Sequence, residues 1–163
     1  MKQILLSLGL ILCAVPVSAA LFSEHTADLA ALQQQAVSQG KRLVVAFELT
    51  DCLQCQHMRD QVFGQAAVEA AYQPYYRSAP VLLDDLRPLQ TPDGQQRTAA
   101  EWAKTLGVVG TPAFVFFDAQ GQLETRYQGV LSAEDLIRLG RYVQHVEYEQ
   151  HPFRAQASAA HQH

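Results

Sequence analysis

Residues 43–58 read L-V-V-A-F-E-L-T-D-C-L-Q-C-Q-H-M and place two cysteines, Cys52 and Cys55, directly after an apolar run. The run from Lys41 to Leu49 shows no polar alternation before Glu48. Such a pattern predicts a β-strand that is covered on both faces. The C-x-x-C pair therefore lies where a buried strand ends.

A helix is predicted directly after this strand. Asp51 and Gln54 stand three residues apart and resemble a capping box, which predicts a helix running to about Phe63. Positions i and i+3 of a helix share a face, so Cys52 and Cys55 can close a disulfide. Cys52, in the first turn, would meet unpaired N–H groups and the positive end of the helix dipole, which favour a thiolate. Cys55, one turn deeper, suits the role of a shielded resolving thiol.

Two other roles for the cysteine pair are weaker. A structural zinc site requires four ligands, and the sequence has no second C-x-x-C that could supply two of them. A purely structural disulfide would close a loop too short to restrain much of the unfolded chain. We therefore expect a redox-active pair, with no metal and no other cofactor. The histidines that offer no convincing zinc pairing are His57, His145, His151, His161 and His163.

Residues 1–20 predict a secretory signal peptide. They contain one positive charge at Lys2, an apolar stretch from Ile4 to Val15, and the small-residue exit V-S-A-A. The apolar stretch is shorter than the roughly 20 residues that span a bilayer, which disfavours a membrane anchor. Cys13 lies inside this stretch and would be lost with the signal. The sequence predicts an exported chain that keeps two cysteines.

The rest of the chain predicts one α/β domain over residues 21–149. Helices are expected over 26–39, 66–72 and 98–106, strands over 79–83, 112–118 and 122–128, and a turn at T-P-D-G, 91–94. The last two strands form a hairpin with a three-residue loop. A final helix follows Ser132, and its apolar stripe is expected to contain Leu136, Leu139, Val143 and Val146.

The ends and the charge of the chain give further expectations. Residues 150–163 are polar and rich in Ala and His, and we expect a flexible tail there. The formal net charge is −4. Proteins that bind nucleic acid have clustered Lys and Arg, so this mild acidity gives no indication of nucleic-acid binding. No segment after the signal is apolar enough to span a membrane. The expected product is a small monomeric domain.

Three segments of the chain resemble thioredoxin-fold proteins. They are F-E-L-T-D-C-L-Q-C-Q-H-M (47–58), V-V-G-T-P-A-F-V-F-F-D (108–118) and Y-Q-G-V-L-S (127–132). The chain is more closely similar to the periplasmic thioredoxin-like proteins encoded with bacterial sulfur-oxidation genes, the SoxW type. The resemblance covers about residues 29–148. It implies a thioredoxin-like α/β fold, with a central mixed sheet flanked by helices on both faces, and a periplasmic location.

The resemblance also implies a client-binding loop. In the fold, the peptide bond corresponding to Thr111–Pro112 is cis and faces the dithiol. The backbone of Thr111 is then free to pair with an extended client. Without the resemblance, an X-Pro bond would be expected to be trans.

Two departures from thioredoxin concern the motif and the buried acid. Thioredoxin has Trp before the first cysteine and Gly-Pro between the two, whereas this chain has Asp51 and L-Q. These changes argue against an extreme oxidant, because a negative charge beside Cys52 disfavours its thiolate. Ala46 stands where thioredoxin has a buried Asp. Glu48 shares a strand face with Ala46 and is either a proton relay for Cys55 or a solvated carboxylate at the strand end.

The resemblance implies a thiol–disulfide oxidoreductase, most simply a reductase of protein disulfides. A periplasm has no thiol buffer of its own, so a reductase there needs electrons from the cytoplasm. The implied donor is a membrane thiol transporter of the DsbD or CcdA kind, and the implied clients are sulfur-carrier proteins or c-type cytochromes. A dithiol oxidase and a client-binding or chaperone module remain alternatives. Near the dithiol, His57 is expected to be exposed and Met58 to lie in the core.

Overall fold

The computed structural model describes residues 20–156, and a four-stranded mixed sheet forms their centre. In this sheet the strand order is β2-β1-β5-β6, with β1 parallel to β2 and antiparallel to β5, and β5 antiparallel to β6. A separate two-stranded ribbon is formed by β3 and β4. The strands are β1 (Arg42–Glu48), β2 (Tyr76–Leu82), β3 (Leu89–Gln90), β4 (Gln96–Arg97), β5 (Ala113–Phe117) and β6 (Leu123–Gln128).

The helices cover both faces of the central sheet. They are α1 (Leu29–Ser38), α2 (Leu53–Met58), α3 (Ala66–Tyr72), α4 (Ala99–Thr105) and α5 (Ala133–Gln144), with a π-helical segment at Arg59–Phe63 and a short 3₁₀ turn at Glu147–Glu149. On one face α2, α3 and α5 pack over Val44 and Ala46. On the other face α1 and α4 pack over Val45 and Phe47. Both alternating sets of β1 side chains are therefore buried, and the predicted α/β architecture, with a central mixed sheet and helices on both faces, is confirmed.

Two predicted helix starts are confirmed by their caps. Thr98 and Glu101 form a reciprocal capping box at the start of α4. The Ser132 hydroxyl accepts the N–H of Asp135 at 3.1 Å at the start of α5. The first helix begins at Leu29, later than predicted from periodicity.

The helix predicted after the dithiol does extend to Phe63, but its last five residues form a π-helical segment. Strand β2 begins at Tyr76, before the predicted strand start at residue 79. Its first residues include the polar Arg77 and Ser78, so the apolar pattern in the sequence did not indicate a strand there. They are tolerated because β2 is an edge strand of the central sheet.

The C-terminal part of the described chain differs from the prediction. Val146 does not continue the stripe of α5, because the helix ends at Gln144 and Val146 has a left-handed backbone with φ 58°. Residues 150–156 are not a free tail, since they lie along α5. The hydroxyl of Tyr142 donates to the carbonyl of His151 at 2.5 Å, and the N–H of Gln156 donates to the Asp135 carboxylate at 3.0 Å.

Some predictions fall outside the residues that the structure describes. The signal peptide lies there, apart from Ala20, together with Cys13, His161 and His163. Among residues 20–156, none of the helices has the length and apolar character needed to cross a membrane.

Candidate active site

Cys52 and Cys55 are joined by a disulfide at the carboxyl end of β1, with their Cα atoms 5.2 Å apart. The two cysteines differ in exposure. Cys52 is partly exposed, whereas Cys55 is completely buried. Cys52 is therefore the cysteine that an incoming molecule can approach, while Cys55 is shielded from solvent.

Cys52 is also the N-cap of α2. Its Sγ accepts the N–H of Cys55 at 3.1 Å, and α2 begins one residue later, at Leu53. The predicted capping box at Asp51 is therefore wrong, because the sulfur of the next residue takes the position of the capping acceptor. This placement directs a backbone donor and the positive end of the helix at Cys52, and both favour its thiolate after reduction.

The loop before β5 lies against the sulfur of Cys52. The Thr111–Pro112 peptide bond is cis, and the Thr111 hydroxyl lies 3.5 Å from Cys52 Sγ. The Gln128 side chain, at the end of β6, fixes this loop because its Oε1 accepts the N–H of Val109 at 2.7 Å and that of Gly110 at 3.2 Å. Sequence reasoning missed Gln128, since nothing in the local pattern of a strand end distinguishes it.

A second loop reaches the site through Asp84. The Thr50 N–H lies 3.2 Å from both carboxylate oxygens of Asp84, which follows β2. Hydrogen bonding from Thr50 lowers the pKa of Asp84, so this exposed carboxyl group is ionised at neutral pH. The contact connects the loop after β2 to the segment that leads into the dithiol. In the sequence, the two adjacent aspartates resemble an ordinary solvated turn.

Glu48, the last residue of β1, is buried with only 1% of its surface exposed. The interpretation as a solvated strand-end carboxylate is therefore wrong. Its Oε2 accepts a hydrogen bond from the guanidinium of Arg59, whereas no group in residues 20–156 donates to its buried Oε1. Burial raises the pKa of Glu48, and the opposing charge of Arg59 limits the increase.

The remaining residues near the motif follow the predictions. His57 is exposed and Met58 is fully buried in the core, where its sulfur lies 3.5 Å from the backbone nitrogen of Leu131.

No three His, Cys, Asp or Glu side chains in the described part of the chain are grouped so as to hold a metal ion.

Three large apolar side chains are strongly exposed on the segments around the disulfide. Leu53 follows Cys52 and is 83% exposed, Val109 is 90% exposed in the Thr111 loop, and Leu86 is 82% exposed in the loop after Asp84. We call these three residues the apolar rim. Exposed apolar surface beside a reactive group can provide contact area for another protein.

A C-x-x-C pair between a strand end and a helix start, with the more exposed cysteine facing an X-Pro loop, can exchange electrons with a client protein: its dithiol form reduces a client disulfide, and its disulfide form accepts electrons from client thiols. Within this fold, the arrangement defines a thioredoxin-like thiol–disulfide oxidoreductase. Residues 29–144 match the family described as the thioredoxin-like domain, and the chain belongs to that family.

Solved structures share the fold over most of their length. A putative disulphide-isomerase from Bacteroides thetaiotaomicron is 18% identical with a TM-score of 0.62, and the match covers 83% of this chain and 100% of that one. A DsbH oxidoreductase is 20% identical with a TM-score of 0.58, covering 85% and 95%. The oxidised C-terminal domain of Neisseria meningitidis DsbD is 20% identical with a TM-score of 0.53, covering 82% and 100%. No curated protein matches the sequence significantly.

Proposed function

We propose that this protein is a periplasmic reductase of protein disulfides, of the SoxW-like type. The observation that carries the proposal is the difference between the two cysteines: Cys52 is accessible at the N-cap of α2, and Cys55 is buried behind it. This asymmetry separates an attacking thiol from a resolving thiol. The predicted signal peptide supports the periplasmic location.

In the reaction, the Cys52 thiolate attacks one sulfur of a client disulfide. The client disulfide breaks, a mixed disulfide forms with Cys52, and the second client sulfur leaves as a thiolate. Cys55 then loses its proton and attacks Cys52 Sγ, which releases the first client sulfur. Two electrons have passed to the client, and the protein is left with the disulfide seen in the structure.

Glu48 is proposed to accept the Cys55 proton. It lies at the end of β1, it contacts Arg59 on the helical segment that continues the helix of Cys55, and its Oε1 has no donor among residues 20–156. A buried carboxylate with a free oxygen is suited to general-base assistance. Without such a base, a thiol buried in apolar surroundings ionises poorly.

Client binding is proposed at the Thr111 loop and the apolar rim. The Thr111 backbone and Pro112 shape the groove beside Cys52, and the rim supplies apolar contact area. The proposed clients are sulfur-carrier proteins or c-type cytochromes with oxidised cysteines. A membrane thiol transporter of the DsbD or CcdA kind would return the protein to its dithiol form.

The direction of electron flow is tested by the reduction potential and by trapped clients. We expect the Cys52–Cys55 potential, measured against a glutathione series, to lie nearer the about −270 mV of thioredoxin than the about −120 mV of DsbA. Cys55→Ser should trap covalent complexes in the periplasm, because attack proceeds without resolution. Cys52→Ser is the matched control and should trap few.

The identity of the trapped proteins decides between the alternatives. Clients that end with a free cysteine support the reductase. A potential near that of DsbA, with clients that mature with disulfides, would indicate an oxidase instead. Full activity after loss of both thiols would indicate a client-binding or chaperone module.

A further inference from the structure

Arg59 forms an ion pair with the buried Glu48 at the end of β1. It is the first residue of the π-helical segment and follows Cys55 by four positions, so the two side chains leave the same face of the continuous helix. The side chain of Arg59 is 41% exposed, whereas that of Glu48 is 2% exposed. The guanidinium therefore extends from the solvent to an acid that water does not reach.

The two oxygens of Glu48 have different environments. Arg59 donates to Oε2, and no group in the described chain donates to Oε1. One oxygen is thus fixed by a permanent cation, while the other is left as an acceptor. An isolated carboxyl group at this depth would remain protonated, because burial disfavours the charged form. A protonated acid cannot accept a proton from a thiol.

We propose that Arg59 is a positioning residue that keeps the Glu48 carboxylate ionised and oriented, with Oε1 ready to accept the proton of Cys55. The inference rests on the proposed relay by Glu48. The Cys55 S–H bond breaks and its proton passes to Oε1. The resulting thiolate forms the bond to Cys52 Sγ, and the electron pair of the mixed disulfide leaves with the client sulfur.

Within residues 20–156, the charged side chains that act on Glu48 electrostatically are Arg59 and His25, which lies in the segment before α1. The register partner of Glu48 on β2 is the apolar Leu82, and the side chain of α2 buried on the same sheet face is Met58. Arg59 is the one that makes direct contact. Its removal should therefore have the larger effect on the protonation of Glu48.

A single-turnover experiment isolates the step. The reduced protein without residues 1–20, and so without Cys13, is mixed with Ellman's reagent. Cys52 attacks the reagent and forms a mixed disulfide with one thionitrobenzoate, while the other thionitrobenzoate leaves in a first phase. Attack by Cys55 on Cys52 Sγ then releases the second thionitrobenzoate, and the rate of this second phase is followed by absorbance from pH 5 to 10. Because Glu48 must be ionised, the rate should rise with pH through the pKa of Glu48.

Arg59→Gln removes the cation and keeps a polar side chain of similar reach. We expect its rate profile to move to higher pH by at least one unit, which lowers the release rate at pH 7 by about tenfold or more. At high pH the profiles should converge, since Cys55 then ionises without a base. Arg59→Lys should restore most of the rate. The side-chain carboxyl carbon of Glu48, followed by NMR, should titrate at higher pH in Arg59→Gln than in the parent.

A double-mutant cycle shows whether Arg59 acts through Glu48. If it does, Arg59→Gln should have little additional effect in a Glu48→Gln background. If the cation acts directly on Cys55, the effect of Arg59→Gln will persist in that background, and the proposal is overturned. Alkylation of Cys52 should be unchanged in all variants, because the proposal concerns only the second step.

The outcomes separate the two proposals. If Glu48→Gln releases thionitrobenzoate slowly while the pH profile of Arg59→Gln is the same as that of the parent, the relay by Glu48 is supported and the role of Arg59 is rejected. If Glu48→Gln releases thionitrobenzoate as fast as the parent at every pH, both the relay by Glu48 and the positioning role of Arg59 are rejected. The proposed attack by Cys52 on a client disulfide is not affected by that result. Far-UV circular dichroism of each variant checks that the fold is intact.

Discussion

The Thr111 hydroxyl lies 3.5 Å from Cys52 Sγ, although the two residues are 59 positions apart in the chain. The N–H of Cys55 lies 3.1 Å from the same sulfur, so two donors within the described part of the chain approach it. Both donors would remain beside a thiolate after reduction. The side chain that faces the client groove thus also contributes to the electrostatics of the attacking sulfur.

Thr111→Val should slow the alkylation of reduced Cys52 at neutral pH. The change keeps the shape of the side chain and removes its donor. A hydrogen bond to a charged group contributes about 1.5–3 kcal/mol at good geometry, and this contact is long, so we expect the alkylation profile to move up by no more than about one pH unit. The measurement is the rate of iodoacetamide labelling against pH.

Thr111→Ser is the control for this prediction, because it keeps the hydroxyl and should label like the parent. Equal labelling rates for Thr111→Val and the parent at every pH would show that the contact does not stabilise the thiolate.

Gly140→Ala should destabilise the protein by about 1–2 kcal/mol. A methyl group on Gly140 would lie 2.9 Å from Cε2 and 3.0 Å from Cζ of Tyr72. The Tyr72 ring cannot move away easily, since it is fully buried and its hydroxyl donates to the Leu136 carbonyl at 2.9 Å. Overpacking costs about 1–3 kcal/mol, which exceeds the helical preference for Ala over Gly of about 1 kcal/mol.

Gly64→Ala is the matched control for the packing argument. Apart from its two chain neighbours, no described residue has an atom within 4 Å of a methyl group built there, and the backbone of Gly64 has φ −84°, which alanine adopts readily. This variant should be as stable as the parent or gain about 0.4–1 kcal/mol. Urea denaturation of the oxidised protein measures both. A Gly140→Ala variant at least as stable as Gly64→Ala would contradict the prediction.

The fold and the dithiol could be predicted from local pattern, because their signals are contiguous in the sequence. Continuous apolar residues identified β1, and helical capping signals at Thr98 and Ser132 identified two helices. The same reasoning failed at Asp51, because two adjacent residues could each cap α2 and the sequence does not show which one faces the first turn.

The contacts that complete the site could not be predicted, because they join side chains from distant segments. Gln128 fixes the Thr111 loop, Asp84 accepts from the segment before the dithiol, and Arg59 reaches Glu48. Each of these side chains is polar and stands in a stretch where polar residues are ordinary. Only the arrangement of the strand ends and loops brings them together.

Phe153→Ala should destabilise the protein by about 1–2 kcal/mol, because residues 150–156 contribute to the core on α5. The Phe153 ring packs edge-to-face on Tyr127 and Tyr142, at 5.5 and 5.4 Å between centroids, and Arg138 lies 5.5 Å above it. Phe153 is only partly buried, so the loss should be below the about 3–5 kcal/mol of a fully buried Phe.

Leu86→Ala is the control for Phe153, since Leu86 is a large apolar residue that is strongly exposed. Its stability should stay within about 0.5 kcal/mol of the parent. If Phe153→Ala were no less stable than Leu86→Ala in urea denaturation, the contacts of this segment would contribute nothing to stability.

The stability of the oxidised protein should depend on pH through Glu48. Burial raises its pKa above the ordinary value of 4.5, with Arg59 opposing the increase. Between 4.5 and that raised pKa, the folded state holds a proton at Glu48 that the unfolded state has released. Stability from this group is therefore present below about pH 4.5 and is lost as pH rises through the folded pKa, by about 1.4 kcal/mol for each unit of the shift.

This contribution is isolated by comparing the unfolding free energy of the parent with that of Glu48→Gln, because glutamine does not titrate. Asp84, Asp85, Asp93 and Glu101 also have altered pKa values, but these groups are common to both proteins and cancel in the difference. Loss of the partner of Arg59 adds an offset that does not depend on pH in this range, because a guanidinium stays charged. The unfolding free energy of the parent minus that of the variant should decrease as pH rises from 4 and level off above the pKa of Glu48. A difference that is flat, or that increases with pH, would show that Glu48 titrates at or below its ordinary value and would remove the basis for a proton acceptor that works near neutral pH.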